Sequence, residues 1–441
     1  MRDECREVSA EGQVRMGAED VGDSYGAEES RKVAGTPPAP PLGPRHSSPG
    51  TRPLPLAGIR VVALEQAVAA PTCSRQLADL GAEVVKVERP GGGDFARGYD
   101  GDLNGLSGHF AWLNRGKRSV VLDLKRGTGR EALERLLDRA DVFVHNLGPG
   151  AVERLGCGYE ALAARNPGLI WCGISGYGPN GPYRDKKAYD LLLQGEAGVL
   201  SVTGVPEAMA KVGVSVADVG AGLYAYGAIL AALLGRARTG RGERIDISML
   251  ECLAEWLTPA IYHWLGTGEV VERAGLRHNL IVPYGVYACA DGSVNFAIQN
   301  EGQWRRFCAG PCDDPALADD PRFASNPARL HNRAALETLI EARFAARPTA
   351  EVIAALDAAD IPNGRVNDVP GVTEHPQLAA RGRWTTVDSP VGPLRALLPP
   401  HNLAGAPATM GAIPALGEHT RAVLAELGYD EAAIGRLLLT V

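Results

Sequence analysis

Short runs of β-branched residues alternate with segments of helical spacing between residues 58 and 175, and this alternation constrains the fold more than any other feature of the sequence. The helical segments include PTCSRQLADLG and GTGREALERLLDRA, and the strand-like runs are GIRVVAL, AEVVKVE, RSVVLDL, DVFVHN and GLIWCGIS. Strands joined by helices of this length form right-handed crossovers and lie parallel in one sheet covered on both faces. The pattern predicts an α/β fold with a Rossmann-like domain.

Ligands of such sheets bind at the carboxyl ends of the strands. The chain carries a net charge of -7, so we expect neither nucleic acid nor an anionic membrane as a partner. Six cations nevertheless accompany the predicted strands: Arg89, Lys117, Arg118, Lys125, Arg154 and Lys187. At one edge of the sheet they would hold a phosphorylated ligand by charge-assisted hydrogen bonds. The alternative is that they are ordinary solvated residues.

Three familiar motifs fail on inspection. Gly116-Lys117 resembles a phosphate loop, but an arginine follows, and Ala111 stands where that motif needs glycine. The segment Gly173–Tyr177 lacks the last glycine of a hydrolase nucleophile elbow. The glycines at 91–93 lack the spacing of a dinucleotide fingerprint. We therefore set aside phosphate-loop enzymes, serine hydrolases and dehydrogenases.

Asp218 is the most informative carboxylate, because it lies between an apolar run and a helix rich in glycine and alanine. At a helix start, the dipole and the free backbone N–H groups favour its ionised form. Gly220 and Gly222 allow a ligand or another backbone to approach closely. An ionised, partly desolvated carboxylate can attack a thioester or anhydride carbonyl. The alternative is an N-cap aspartate without a catalytic role.

Other polar candidates have structural alternatives. Asp190, which follows Tyr189, could cap a helix or support a site, and His145 and His419 could cap or pack. The eight cysteines form no CxxC pair and have no matching histidines, so we expect reduced thiols and no metal site.

The N-terminal segment, residues 1–52, is poor in large apolar residues and rich in proline, which predicts a disordered tail or a gene-start artefact. It resembles neither a signal peptide nor a transit peptide, so we expect a cytoplasmic protein. The most apolar stretch, Leu223–Leu234, is too short to cross a bilayer and predicts a buried helix.

A series of ordered motifs from Pro55 to the C-terminus resembles the class III CoA-transferase family, also called CaiB/BaiF. The motifs are PLAGIRVVALEQAVAAPTCSRQLADLGAEVVKVERPGGGD, LNRGKRSVVLDLK, ADVFVHNLGPGAVERLG, GYGPNGPYRDKKAYDLLLQ, VSVADVGAG, LLGRARTGRGERIDISML, VPYGVYACADGSV and PALGEHTRAVL.

The resemblance implies that Asp218 attacks an acyl-CoA thioester to give a mixed anhydride. CoA then returns to form an aspartyl-CoA thioester, and an acceptor carboxylate completes the exchange. No metal or permanently bound cofactor is implied, since the CoA thioester is itself the substrate. The implied CoA-binding residues are Val68, Ala69, Arg89, Leu122, Lys125, Asn146, Leu147, Gly148, Arg154, Lys187, Tyr189 and Asp190.

Two departures from family members bear on the substrate. Formyl-CoA:oxalate transferases carry a glutamine where this chain has Val68, which argues against oxalate. The related α-methylacyl-CoA racemases use a histidine where this chain has Tyr189, and a tyrosine is poorly suited to exchange an α-proton near neutral pH. We therefore expect a CoA-transferase, with succinyl-CoA as a candidate donor. The alternatives are an acyl-CoA racemase or epimerase and a non-catalytic acyl-CoA-binding protein.

The resemblance also implies an interlocked homodimer, in which both ends of each chain build the large domain. We expect the large Rossmann-like domain at residues 53–250, a linker at 251–275, a smaller α+β domain at 276–370, and a return to the large domain at 371–441.

Overall fold

The computed structural model describes residues 53–408 and 410–439, so the predicted tail at residues 1–52 lies outside the described residues. Every strand expected between residues 58 and 175 is present. The elements are β1 (Arg60–Leu64), α1 (Ala69–Asp79), β2 (Glu83–Glu88), α2 (Gly108–Asn114), β3 (Lys117–Val121), α3 (Gly127–Leu137), β4 (Val142–His145), α4 (Ala151–Arg154), α5 (Tyr159–Arg165) and β5 (Ile170–Ser175).

A longer crossover leads from β5 to the last strand of the large sheet. It comprises α6 (Asp190–Glu196), α7 (Val199–Val202), β6 (Gly204–Val205), β7 (Ala208–Met209) and α8 (Val216–Thr239), followed by β8 (Arg244–Ser248). Six strands pair in parallel in the order β3-β2-β1-β4-β5-β8, which confirms the predicted α/β class. The order reverses between β1 and β4, and a crevice for ligands opens at such a switch point.

A smaller α+β region follows α9 (Met249–Trp256) and α10 (Thr258–Thr267). Its antiparallel sheet has the order β11-β10-β9, and the hairpin turns at Ala290 and Asp291, because Gly292 pairs with Cys289. The elements are β9 (Tyr284–Cys289), β10 (Gly292–Ala297), α11 (Glu301–Ala309), α12 (Asn326–His331), α13 (Arg333–Phe344), α14 (Thr349–Ala358) and β11 (Asn363–Arg365).

The end of the chain returns to the large sheet. The backbone N of His419 donates to the carbonyl of Ser119 in β3 at 3.0 Å. The elements are α15 (Val369–Thr373), α16 (Pro376–Ala380), β12 (Trp384–Val387), β13 (Leu394–Leu397), α17 (Thr420–Glu426) and α18 (Glu431–Leu438). The division into domains at residues 250, 275 and 370 stays a prediction.

The large sheet is buried on both faces, as the continuous apolar runs of its strands require. Val61 and Ala63 of β1 pack in a core with α1 and α8. The alternate residues Val62 and Leu64 pack on the other face with α3, α17 and α18. Both helical layers therefore fix the sheet, and the turns at its carboxyl edge project from a rigid base.

The helix α8 is longer than we expected from Leu223–Leu234, because the flanking alanines and glycines continue it until Gly240, whose φ is 69°. Among the described residues it is the one helix whose length and composition would suffice to span a membrane. One face of α8 nevertheless belongs to the core, because side chains spaced four residues apart are fully buried: Ala217, Ala221, Ala225 and Ile229.

Candidate active site

A cavity of about 660 Å³ opens at the carboxyl ends of β1 to β4, where the strand order reverses. Its volume lies in the range of ligand and cofactor pockets. Each of the four strands is followed by a turn that contributes to the wall, so the sheet itself sets the shape of the cavity. Several residues that the family resemblance assigns to CoA lie in this wall: Arg89, Leu122, Lys125 and Leu147.

Arg89 and Lys125 are the two cationic residues that line this cavity among the described residues. The Nε of Arg89 donates to the carbonyl of Gly93 at 2.9 Å, and its guanidinium lies 4.5 Å from the centre of the Phe95 ring. Lys125 lies in the turn after β3, where its backbone N donates to Asp123 Oδ1 at 3.0 Å. Two cations held on ordered turns suit the phosphates of a nucleotide-type ligand.

Lys117 and Arg118 do not belong to this edge, which corrects our grouping of six cations. β3 begins at Lys117, so both residues lie at the amino end of the strand. Arg118 pairs there with Glu83 and with Glu426 of α17. Both cations precede an apolar run, whereas Arg89 and Lys125 follow one, and this order in the sequence already separates the two groups.

A network of buried charges lies beside the cavity. Lys117 Nζ donates to Glu65 Oε1 at 2.7 Å, and Lys86 Nζ donates to the same oxygen at 3.2 Å and to Asp94 Oδ2 at 2.7 Å. Burial opposes the ionised form of Glu65, but the two lysines outweigh burial and hold its pKa at about 2. Glu65 therefore stays charged at neutral pH, and the network fixes the wall to which Glu65 and Asp94 belong.

The second oxygen of Asp94 shapes the turn between β1 and α1. Asp94 Oδ1 accepts hydrogen bonds from the backbone N of Ala67 at 2.8 Å and of Ala96 at 2.9 Å. Ala67 has φ 60°, in the left-handed region that residues with a Cβ rarely adopt. Such a conformation persists only where the surroundings impose it. Asp94 thus acts as a positioning residue for this turn.

Asn146 ties two turns of the cavity wall together. Its side chain accepts from the backbone N of Gln66 at 2.9 Å and donates to the Gln66 carbonyl at 2.8 Å. Val68 follows in the same turn and Ala69 begins α1, and both residues are buried. Val68 and Ala69 therefore offer a ligand little surface, and the geometry gives Asn146 a positioning role.

Asp218 lies in the first turn of α8, but it does not cap the helix. The carboxylate of Asp190 does so instead, because its Oδ1 accepts from the backbone N of Ala217 at 2.7 Å and of Asp218 at 3.4 Å. Burial and, second, the charge of Asp190 raise the pKa of Asp218 from 3.8 to about 7. Our expectation that the helix start favours the ionised form of Asp218 is therefore wrong: Asp190 already occupies the free N–H groups.

The packing of α8 on α1 places Asp218 at the same edge of the sheet as the cavity. A Cβ on Gly222 would lie 2.6 Å from the Ala69 carbonyl oxygen and from Thr72 Cβ, so the glycine permits two helices to touch. Both helices run from the carboxyl edge towards the amino edge, because each leads into a parallel strand. Asp218, one turn before Gly222, therefore lies level with the turn after β1. Tyr99 is also near, since the charge of Asp218 adds to burial in raising its pKa.

Four of the expected CoA-binding residues lie outside the cavity wall and are exposed: Gly148, Arg154, Lys187 and Tyr189. Gly148 lines a neighbouring cavity of about 350 Å³ together with His145. Burial lowers the pKa of His145 to about 4, and its ring packs against Trp171 with centroids 4.8 Å apart, so His145 has the packing role left open above.

Sequence reasoning missed Glu65, Lys86, Asp94 and Tyr99. A signal for two of them existed, because Lys86 interrupts the apolar run AEVVKVE and Glu65 directly follows GIRVVAL. A charge inside a buried strand requires a buried partner. No local pattern marks Tyr99, which approaches Asp218 only through the fold. In residues 53–408 and 410–439 no group of three or more acidic, histidine or cysteine side chains could hold a metal ion.

The parallel sheet has a cavity lined by Arg89 and Lys125 at its switch point and a carboxylate of raised pKa at the same edge, an arrangement that suits an α/β enzyme acting on a nucleotide-type ligand. Residues 56–420 match the family described as CoA-transferase family III. The chain belongs to this family, of the CaiB/BaiF type, and is a CoA-transferase that acts on an acyl-CoA and a carboxylic acid.

Known proteins of similar sequence and structure agree with this assignment. The chain is 36% identical over 384 residues to a succinate–glutarate CoA-transferase of Agrobacterium fabrum, covering 85% of this chain and 96% of the relative. It is 34% identical to a succinyl-CoA:mesaconate CoA-transferase of Haloarcula hispanica, covering 86% and 97%. A crystal structure of a CAIB/BAIF family protein from Brucella suis, 37% identical, superposes with a TM-score of 0.76 over 85% of this chain and 100% of that chain.

Proposed function

We propose that this enzyme transfers CoA from succinyl-CoA to a second small carboxylic acid and that Asp218 carries the CoA as an aspartyl thioester. The position of Asp218 carries the proposal: a partly desolvated carboxylate at the edge where the cation-lined cavity opens. The similar proteins whose names include succinyl-CoA supply the candidate donor.

The covalent sequence balances with carboxylates and a thiolate alone. The Asp218 carboxylate attacks the thioester carbonyl, the C–S bond breaks, and a mixed anhydride and CoA thiolate result. The thiolate then attacks the aspartyl carbonyl of the anhydride, which releases succinate and leaves aspartyl-CoA. The acceptor carboxylate repeats these two steps in reverse and departs as its CoA thioester. No step requires a resident cofactor.

The raised pKa of Asp218 fits this chemistry. At neutral pH roughly half of the molecules hold an ionised Asp218 if its pKa is about 7. A carboxylate that ionises reluctantly is poorly solvated, and weak solvation makes it a stronger nucleophile towards a carbonyl. Arg89 and Lys125 would hold the CoA phosphates, while the rigid turn after β1 would lead the pantetheine arm towards Asp218.

The test traps the intermediate. Wild-type enzyme is incubated with succinyl-CoA and no acceptor, quenched with hydroxylamine or borohydride, and digested for mass spectrometry. We expect one modified peptide, the one containing residues 216–219. Asp218→Asn should abolish both the adduct and transfer. Asp185→Asn, an exposed aspartate that pairs with Arg184, is the matched control and should retain both.

Two outcomes would overturn the proposal. Solvent deuterium entering the α-position of an acyl-CoA without any adduct would indicate a racemase or epimerase. Neither an adduct nor exchange across a broad donor panel would indicate an acyl-CoA-binding protein.

We also propose that the functional unit is a homodimer. The helix α10 has no buried residue among its ten, and four of its large apolar side chains are exposed: Ile261, Tyr262, Trp264 and Leu265. A surface of this kind marks an interface. The interlocked dimer implied by the family resemblance would cover it with a second copy of the chain, and light scattering should return twice the chain mass of 46.5 kDa.

A further inference from the structure

A separate cavity of about 560 Å³ lies between α1, α2 and the β12–β13 hairpin. The residues that line it differ from those of the cavity at the carboxyl ends of β1 to β4, and the proposed reaction uses none of them. Arg75, which lines it, lies two turns into α1, about 10 Å along the helix from Val68 at about 1.5 Å per residue. This cavity is therefore distinct from the site of transfer.

Two buried arginines of this cavity share a single carboxylate. Arg115 donates to Asp79 through Nε at 3.0 Å and through one terminal nitrogen at 2.8 Å, while Arg75 reaches the same carboxylate only at 3.3 Å. Arg75 is 7% exposed and Arg115 is 5% exposed. Two cations thus face one anion, and one positive charge remains uncompensated in a nearly dry environment.

Arg75 also has an unused donor. Its buried Nε has no hydrogen-bond partner among the described residues. A buried donor of a charged group without a partner is costly, so its presence here requires an explanation. Burial and the neighbouring Arg115 lower the pKa of Arg75 to about 10, against the opposing effect of Asp79. Both observations point to a missing anion.

The rest of the lining shows what kind of anion would fit. A third arginine, Arg395, contributes to the wall, and no acidic residue does so among the described residues. The remaining wall is largely apolar and includes Trp112, Leu394, Leu397, Leu398, Pro399 and Ile413. An inorganic anion buries no apolar surface against such a wall, whereas the ring or branched chain of an organic anion does.

We propose that this cavity binds an organic carboxylate with an apolar body. The carboxylate accepts hydrogen bonds from the guanidinium groups of Arg75 and Arg115, and it supplies the negative charge that Asp79 alone does not. The apolar body lies against Trp112 and the prolines after β13. The ligand is a carboxylate that is not joined to CoA, and its binding does not depend on Asp218.

The test measures binding of benzoate to the full chain by isothermal titration. We expect one site per chain beyond any in the transfer site. Binding should weaken at least tenfold for acetate, which lacks the apolar body, and for benzamide, which lacks the charge. Arg75→Gln should abolish this binding while leaving CoA transfer unchanged. The matched control is Arg135→Gln, a half-buried arginine that pairs with Glu131 elsewhere on the surface.

The thermal midpoint provides a second readout. Benzoate should raise the midpoint of the wild type and of Arg135→Gln but not that of Arg75→Gln. Without ligand, Arg75→Gln should melt at or above the wild-type temperature, because it removes an uncompensated charge while the Arg115–Asp79 pair remains. Benzoate binding that survives Arg75→Gln would place the ligand in the transfer site and overturn the proposal. An absence of benzoate binding to the wild type, or equal binding of acetate and benzoate, would also overturn it.

Discussion

The pKa of Asp218 links stability to pH, and Asp218→Asn reveals the link. The pKa of Asp218 is about 7 in the folded protein, raised first by burial and then by Asp190, against 3.8 for an ordinary aspartate. The folded state therefore keeps a proton that the unfolded chain loses. The stability contributed by that proton is fully present below about pH 4 and is lost as the pH rises through about 7.

The size of the effect follows from the shift. One pKa unit corresponds to about 1.4 kcal/mol, so a shift of about 3 units costs the wild type about 4 kcal/mol of unfolding free energy at about pH 8. Asparagine has the same shape and cannot ionise, so Asp218→Asn avoids this cost. At about pH 5.5 the folded carboxyl is still protonated, and the advantage of the variant falls by about 2 kcal/mol.

The assay is urea unfolding followed by circular dichroism at both pH values. We expect Asp218→Asn to exceed the wild type in unfolding free energy at both, by about 2 kcal/mol more at about pH 8 than at about pH 5.5. Asp102→Asn, which changes an exposed aspartate, is the control and should show the same difference from wild type at both pH values.

Two results would refute the reasoning. If the advantage of Asp218→Asn did not change with pH, the carboxyl would titrate alike in the folded and unfolded states. If the variant were less stable at about pH 8, the ionised carboxylate would be held by a favourable partner. Either result would remove the argument that Asp218 is a reluctantly ionised nucleophile.

Three further predictions follow from the site. The ratio kcat/KM for transfer should rise about tenfold between about pH 6 and about pH 8, because the ionised fraction of Asp218 rises by that factor, and a flat profile would contradict the assigned role. Arg89→Ala should raise the KM for succinyl-CoA about tenfold with little change in kcat, whereas Arg118→Ala should not; a fall in kcat alone would exclude Arg89 as a CoA contact. Lys86→Met should lower the unfolding free energy by about 3 kcal/mol, because it leaves Asp94 buried without its cation. Glu83→Gln, at the exposed pair with Arg118, should lower it by less than about 1 kcal/mol. Similar losses for the two variants would mean that water reaches the network of Glu65, Lys86 and Asp94.

The central sheet could be predicted because its signal is local. Runs such as GIRVVAL and DVFVHN are apolar along their whole length, which marks a strand buried on both faces, and the helix between two runs fixes their parallel direction. The positions of Arg89 and Lys125 followed from the same pattern, since each comes directly after a strand. Lys117 and Arg118 lie at the opposite edge, because they begin β3 and do not follow it.

The electrostatics of the site could not be predicted, because its partners are distant in the sequence. Asp190 caps the helix of Asp218 across 27 residues, and Asp94 binds the backbone of Ala67 across a separation of 27 as well. Local sequence shows that Asp218 begins a helix, but only the fold shows which carboxylate takes the free N–H groups. The direction of the pKa shift of Asp218 depends on which carboxylate accepts hydrogen bonds from these N–H groups.

The packing of α17 and α18 on the large sheet has a consequence for synthesis of the chain. Ser119 and Gly417 are joined by a hydrogen bond of 2.8 Å across 298 residues, and one face of β2 and β3 is covered by Val423, Leu424 and Ile434. Translation delivers that covering after every strand of the large sheet, so a ribosome-bound chain with all these strands complete still exposes an apolar face. We expect such nascent chains to depend on chaperones, and a premature stop codon just before α17 to yield aggregates in place of a weakened enzyme.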